Sequence, residues 1–134
     1  GERRRCRTKK LPLRGAGGVG SGGSHLDGRF GGEASVVLDL VEVDPSLGEP
    51  LVPGLSYLRA EAVYAVCHEM ATTLDDVLSR RTRARIEDRA ATLDAAPEVA
   101  ALVAEAAGWS DERQDTELAA FQASVEAEMA AESR

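Results

Sequence analysis

The chain has 134 residues, a length typical of one small domain. Aromatic residues make up 4% of the sequence and alanine is very abundant after Ala90. This composition favours close-packed helices over a sandwich or barrel, because alanine costs least in a helix and is depleted in strands. Cys6 and Cys67 are too few for a disulfide framework and lie in no metal-ligand spacing. We therefore expect an all-α domain in a reducing, cytoplasmic compartment, without a bound metal.

The formal net charge of -7 is unevenly distributed along the chain. Residues 1–14 carry a net +6, which leaves -13 for the remainder; the basic residues are Arg3, Arg4, Arg5, Arg7, Lys9, Lys10 and Arg14. A basic arm on an acidic body can bind nucleic acid or an acidic membrane surface, and it can also be a joint within a larger protein. No aromatic residue is interleaved with these bases to stack on nucleobases, so we expect no nucleic acid as a partner.

No run of the sequence approaches the roughly 20 apolar residues that a membrane-spanning helix needs. The basic start is not followed by the apolar segment of a signal peptide. We expect a soluble protein, or one that is at most peripheral to a membrane.

The segment from Gly15 to Gly20, GAGGVG, matches the dinucleotide-binding pattern GxGxxG, and Asp39 lies about twenty residues further on, where such a site places its ribose contact. However, KKLPLR is a poor strand before it, and SGGSH cannot start an amphipathic helix after it. A flexible linker is favoured, since such glycine density costs too much backbone entropy for a regular element. We predict a basic, Gly-rich linker over residues 1–23 and a helical domain over residues 24–134.

The first elements of this domain are short. One helical turn is expected around His25 to Arg29. A helix follows, with an apolar stripe at i, i+3, i+4 and i+7, although VVLDLVEV would also suit a strand; the stripe is Ala34, Val37, Leu38 and Val41. Asp44-Pro45 breaks this element, and a loop follows at Pro50, Pro53 and Gly54.

Two longer helices are predicted next. Ser56 caps the first, which has Glu61 in its first turns and an apolar stripe of Val63, Val66 and Met70, widened by Leu58, Ala62 and Ala65. Thr73 caps the second. Its acids Asp75 and Asp76 precede its bases Arg80, Arg81 and Arg83, as the helix dipole favours, and its buried edge is Leu74, Val77 and Leu78.

The last two predicted helices complete a bundle of about five. Pro97 opens the fourth and Gly108 ends it, with Val99, Leu102, Val103 and Ala106 facing inward. Ser110 caps the fifth, which has one apolar side formed by Leu118, Phe121, Val125 and Met129.

His68 and Glu69 form the pair that most resembles acid–base chemistry. They belong to HEMATTL, which is not the zinc motif HExxH. We expect a helix-surface histidine beside Glu61 or Tyr64, and a small, buried or half-buried Cys67. No catalytic, cofactor-binding or metal residue is predicted.

Arginines are densest in Arg80-Arg81-Thr82-Arg83-Ala84-Arg85. Arginine forks match phosphate oxygens well, so phosphate binding is one interpretation. The favoured interpretation is that these charges pair with Glu87, Asp88 or carboxylates elsewhere, or dock the domain on a neighbouring one.

The segment YLRAEAVYAVCHEMATTLDDVLSRRTRARI, residues 57–86, resembles the C-terminal domain of FAD-dependent, aerobic glycerol-3-phosphate dehydrogenases of the actinobacterial type. Other pieces resemble this family in the same order: RTKKLPLRGA, HLDGRFGGEASVVLDLV, DPSLGEPLVPGLSYLRAEAVYAV and APEVAALVAEAAGW. Phe30 and Cys67 depart from the family's usual Tyr and its Arg or Thr, and the glycines before His25 replace a longer segment.

This resemblance implies an enzyme that oxidises glycerol 3-phosphate to dihydroxyacetone phosphate with FAD and passes electrons to quinone at the membrane. It places the FAD and substrate sites in a catalytic body before Gly1, so we expect this chain to be a fragment or remnant that binds no cofactor alone. The resemblance also implies packing on that body, with Arg80, Arg81 and Thr82 as docking residues. The alternatives are a stand-alone helical interaction module, docking through Arg80 to Arg89, and a nucleic-acid binder that uses Arg3 to Arg14.

Overall fold

A computed structural model describes residues 24–132, which form helices, helical turns and loops with one isolated β-bridge between Pro50 and Leu58. The predicted all-α class is confirmed. The described residues contain six α-helices: α1 (His25–Phe30), α2 (Ala34–Val43), α3 (Arg59–His68), α4 (Ala84–Glu87), α5 (Arg89–Ala107) and α6 (Asp111–Glu132). The basic arm, the GxGxxG match and the predicted linker lie outside the described residues.

The chain divides into two compact units at the boundary between Asp39 and Leu40. In the first unit, Ser24 caps α1 by accepting a hydrogen bond from the Asp27 N–H at 3.1 Å, and Leu26 and Phe30 are buried. The helical turn predicted here is confirmed. Helix α2 starts in this unit and ends in the second, and its helical rather than extended form settles the ambiguity of VVLDLVEV.

Helix α3 begins later than predicted, so Ser56 as its N-cap is wrong. Leu51 N–H donates to Tyr57 O at 2.7 Å, which keeps the chain extended up to Leu58. Glu61, which is fully buried, then reaches back from the first turn, and its Oε1 accepts from Leu58 N–H at 2.9 Å. A carboxylate inside the helix thus satisfies the backbone N–H of the N-cap residue Leu58, which is the glutamate half of a capping box.

The buried face of α3 also differs from the predicted stripe. The buried apolar residues of α3 are Ala60, Ala62, Tyr64 and Ala65, whereas Val63 and Val66 are half-buried. Met70 is 83% exposed, because the helix ends at His68 and Met70 lies beyond it with a φ of 55°. The helical period therefore no longer applies at Met70.

Helix α5 is the central element of the second unit and packs against α3 and α6. It begins at Arg89, where Asp88 accepts from Ala91 N–H at 2.9 Å, so the predicted start at Pro97 is wrong. Pro97 lies inside the helix on its exposed side, where an alanine-rich sequence continues across it. Gly108 ends the helix as predicted, with a φ of 65°, a left-handed conformation that glycine adopts without strain.

The core of the second unit is built on the buried face of α5, which consists of small residues. Its buried residues are spaced alternately three and one apart: Thr92, Ala95, Ala96, Val99, Ala100, Val103 and Ala104. Leu102 and Ala106, which were predicted to face inward, are only half-buried. Alanine at so many positions permits the close approach of α3, which contributes Ala62 and Ala65 to the same core.

Helix α6 is capped by Ser110, whose Oγ accepts from Arg113 N–H at 3.3 Å, as predicted. Phe121 and Val125 are buried and Leu118 is partly buried against the core. Met129 is 47% exposed, so the predicted stripe holds in the middle of the helix and fails near its end.

Candidate docking site

The arginine-dense segment begins in the last turn of a helix that starts with a reciprocal cap. Thr73 Oγ1 accepts from Asp76 N–H at 3.0 Å, and Asp76 Oδ2 accepts from Thr73 N–H at 3.1 Å. Glu117 of α6 adds a third contact, since its Oε2 accepts from Leu74 N–H at 3.1 Å. The predicted N-cap Thr73 is confirmed, and so is the buried edge of Leu74, Val77 and Leu78, each fully buried.

Asp76 carries the clearest electrostatic perturbation of the site. Burial works to raise the pKa of its carboxyl. Hydrogen bonds from Thr72 N–H, Arg80 and Thr73 oppose burial and lower the pKa from 3.8 to about 2. The pKa of Arg80 is raised in turn by the hydrogen bond to Asp76 and by the charge of Asp75. This ion pair fixes the exposed side of the turn, with the Arg80 side chain still 60% exposed.

The helix widens to a π-helix over Asp76–Arg81 and closes on Thr82. Thr82 N–H donates to Val77 O at 3.0 Å and its Oγ1 donates to the same carbonyl at 2.8 Å. Thr82 is fully buried. These two hydrogen bonds to Val77 O end the π-helix. The next residue, Arg83, takes the left-handed conformation with a φ of 60°.

Arg81 fastens this segment to the end of α3. Its Nη2 and Nε donate to Glu69 O at 2.8 Å and 3.2 Å. Glu69 O is one of the carbonyls that a helix leaves without an internal partner at its C-terminus. Arg81 thus serves as the C-terminal cap of α3 and holds the two elements together.

Arg85 connects the segment to α6. Its five N–H groups, the full donor set of a guanidinium, make five hydrogen bonds. Asp75 Oδ1 accepts at 3.1 Å, Ser124 accepts through Oγ and its backbone O, and Glu128 Oε2 accepts twice. The guanidinium also lies 5.7 Å from the centre of the Phe121 ring. With 13% of its side chain exposed, Arg85 is a structural cross-link.

Arg89, four residues after Arg85, makes a second connection to α6. It holds Glu132 with two parallel bonds, Nη1 to Oε2 at 2.7 Å and Nη2 to Oε1 at 2.8 Å. The hydrogen bond raises the pKa of Arg89 and lowers the pKa of Glu132. The arginines thus pair with carboxylates elsewhere rather than with Glu87, which accepts from the Tyr57 hydroxyl, or with Asp88, which caps α5.

The sequence of residues 6–114 matches the family of the C-terminal domain of alpha-glycerophosphate oxidase. The chain belongs to this family. The match includes all the arginines described above and ends at Gln114, in the first turn of α6. Ser124, Glu128 and Glu132, which bind Arg85 and Arg89, lie beyond it.

Curated relatives of this family member are dehydrogenases. The chain is 43% identical over 105 residues to glycerol-3-phosphate dehydrogenase 2 of Mycobacterium tuberculosis H37Rv, which covers 78% of this chain and 18% of the relative. It is 42% identical to the glycerol-3-phosphate dehydrogenase of Mycobacterium leprae with the same coverage, and 33% identical over 94 residues to that of Synechocystis, covering 70% and 17%. The chain therefore spans less than a fifth of the length of these relatives. No solved structure matches the chain.

The alternative acid–base site does not assemble around His68. The His68 ring contacts the ring of Tyr64, with centroids 4.7 Å apart and planes tilted by 30°. Tyr64 is one of the two neighbours predicted for His68. Cys67 is exposed, so the predicted burial is wrong: α3 turns its alanines to the core and leaves Cys67 on the opposite side. Cys67 lines an open cleft of about 490 Å³ with Trp109 and Arg113. Arg113 lies over the Trp109 ring at 5.0 Å and donates to Thr72 O at 3.1 Å.

In residues 24–132, no group of three or more His, Cys, Asp or Glu side chains is placed to hold a metal ion. Over the same residues, none of the helices combines the length and the apolar character needed to cross a membrane.

Sequence reasoning missed the role of Arg85, although it named the residue. The prediction allowed for carboxylates elsewhere besides Glu87 and Asp88, but it did not identify Glu128, which lies 43 positions away. The only sequence signal was the excess of acids in α6, which does not specify which arginine they meet.

Proposed function

We propose that this chain is the C-terminal helical domain of an FAD-dependent glycerol-3-phosphate dehydrogenase and that it packs on the catalytic body without supplying a catalytic residue. The family match over residues 6–114 carries this proposal, and the dehydrogenase relatives support it. The body oxidises glycerol 3-phosphate to dihydroxyacetone phosphate and passes the electrons to quinone. The enzyme lies in the cytoplasm, peripheral to the membrane.

The described residues do not fit FAD. Binding of its pyrophosphate uses a strand, a glycine-rich loop and a helix N-terminus in that order. Residues 24–132 form one isolated bridge instead of such a strand. We therefore assign FAD to the catalytic body and derive no step of the reaction through this chain.

Docking through Arg80, Arg81 and Thr82 stays a prediction. The contacts of these three residues within the domain indicate that their roles differ. Arg80 presents a side chain that is 60% exposed while its pair with Asp76 holds it in place. Arg81 and Thr82 bind backbone carbonyls and shape the turn. Arg80 is thus the member of the three that can contact a partner without disturbing the fold.

The proposal is tested by exchange of the domain in an active relative. The part of Mycobacterium tuberculosis glycerol-3-phosphate dehydrogenase 2 that aligns with this chain is replaced by this chain, and a matched protein simply lacks that part. We expect the chimera to oxidise glycerol 3-phosphate and the truncated protein to lose most of that activity. A chimera no more active than the truncated protein would overturn the proposal.

A further inference from the structure

Arg83 differs from the other arginines of its segment. Arg80, Arg81, Arg85 and Arg89 all make hydrogen bonds or ion pairs to residues of this chain. Arg83 is exposed, and its side chain makes no hydrogen bond or ion pair with any part of the chain that the structure describes. Its guanidinium is therefore available to a partner with no internal bond to break.

The backbone at Arg83 favours another residue type. With a φ of 60° and a ψ of 11°, Arg83 lies in the left-handed region, between the end of the π-helix and the start of α4. Glycine or asparagine adopts this conformation with less strain than arginine. Local structure thus gives no reason for an arginine here.

Ile86 lies on the same turn. Its N–H donates to Arg83 O at 2.9 Å, and 76% of its surface is exposed. A cation without a partner among residues 24–132 and a β-branched apolar side chain therefore share one short exposed segment. This segment directly follows the predicted docking residues Arg80 to Thr82.

We propose that Arg83 and Ile86 form the contact surface for the catalytic body, with Arg83 meeting a carboxylate and Ile86 entering an apolar recess beside it. This inference rests on the proposed function. The chain spans 18% of the length of its Mycobacterium tuberculosis relative, glycerol-3-phosphate dehydrogenase 2. The partner that this surface meets is therefore the rest of such a protein, its catalytic body. Arginine is one of the residue types enriched among the few that supply most of the binding energy of an interface.

The test compares variants that change the surface but not the fold. R83G and R83N remove the guanidinium at a position where the backbone favours the new residue, and I86S removes the apolar contact. M70G is the matched control, because Met70 is also exposed, at 83%, and also has a positive φ, of 55°. Each variant is prepared in the isolated full chain and in the chimera with the Mycobacterium tuberculosis dehydrogenase.

Amide hydrogen exchange of α5 is measured in both forms, because docking stabilises the folded domain. We expect exchange to be slower in the chimera than in the isolated chain by roughly tenfold or more for the wild type and M70G. R83G, R83N and I86S should lose most of this difference, while R83G exchanges no faster than the wild type as an isolated chain. An R83G and an I86S chimera that keep the full difference would overturn the inference alone. An inactive wild-type chimera with no slowing would overturn the proposed function itself.

Discussion

Arg85 shows how one side chain joins elements that lie far apart in the sequence. It satisfies all five of its N–H groups with Asp75, Ser124 and Glu128, and thereby fixes α6 against the segment that carries the predicted docking residues. The Arg85 side chain is only 13% exposed, whereas Asp75 and Glu128 remain 32% and 46% exposed, so the guanidinium is the group that loses most of its hydration and depends on these bonds.

Arg85→Ala should therefore lower the free energy of unfolding by about 2 kcal/mol, in the range of hydrogen bonds to charged groups. Urea denaturation of the full chain measures it. Arg85→Lys should lose most of the same stability, because a lysine has three donors on a single nitrogen and cannot span the same acceptors. Arg80→Ala is the control and should cost less, since that side chain is 60% exposed. Equal losses for Arg80→Ala and Arg85→Ala would contradict the cross-link.

Asp76 makes the stability of the domain depend on pH in the acidic range. Its pKa is near 3.8 in the unfolded chain and about 2 in the folded one, so the folded state favours the carboxylate. A lowered pKa contributes stability that is fully present above about pH 4 and is lost as the pH falls towards about 2. The wild type should thus be more stable than Asp76→Asn at neutral pH, and the difference should shrink across this window. Denaturation curves at stepped pH values measure it, and a difference that does not change with pH would refute the assignment.

Local capping residues were predictable and caps made by tertiary contacts were not. Thr73 and Ser110 bond to amides three residues away, so the sequence contains both partners of each bond. Ser56 failed as a cap because the contact between Leu51 and Tyr57 delays the helix until Arg59. Arg85 and Arg89 followed the same rule: their charge was visible in the sequence, but their partners in α6 depend on the fold.

At the scale of elements, α5 is the helix whose start was predicted in the wrong place, because Pro97 was taken as the first residue of the helix. Proline suits the first turn of a helix, but here Asp88 starts the helix earlier and Pro97 lies inside it. An interior proline removes one backbone hydrogen bond and crowds the carbonyl four residues before it. Its exposed position means that replacing it disturbs no core contact.

Pro97→Ala should consequently stabilise the domain. Proline costs about 3 kcal/mol relative to alanine in a helix interior, a net figure that already includes the stiffer unfolded chain, so we expect a gain of about 3 kcal/mol or less. Chemical denaturation measures the change, with Glu98→Ala on the same exposed side as the control. A loss of stability in Pro97→Ala would show that the helix requires a distortion at this point.

The π-helix and α6 limit what periodicity can reveal about the elements. A regular α-helical count carried the predicted third helix through Arg83, whereas the segment widens at Asp76 and reverses at Thr82. For α6, the apolar stripe predicted the core contacts of Phe121 and Val125. The polar contacts near the end of α6, through Ser124, Glu128 and Glu132, follow from the positions of α4 and of the start of α5 and are not encoded in any local pattern.

At the scale of the whole molecule, the fold class and family followed from the sequence, because alanine content and the segment around LDDVLSRRT are properties of the chain itself. The surface that we propose for docking did not. The sequence favoured Arg80, Arg81 and Thr82, and the structure shows that two of these bind backbone carbonyls. Exposure and the lack of internal partners among the described residues favour Arg83 and Ile86 instead.

A crystal structure of the chimera with the Mycobacterium tuberculosis dehydrogenase tests the central claim most directly, because it locates the domain on the catalytic body. We expect the domain to keep the helices described above and to place Arg83 within hydrogen-bonding distance of a carboxylate of the body, with Ile86 covered. A domain that is separate from the body, or that turns residues 80–86 to solvent, would contradict this account.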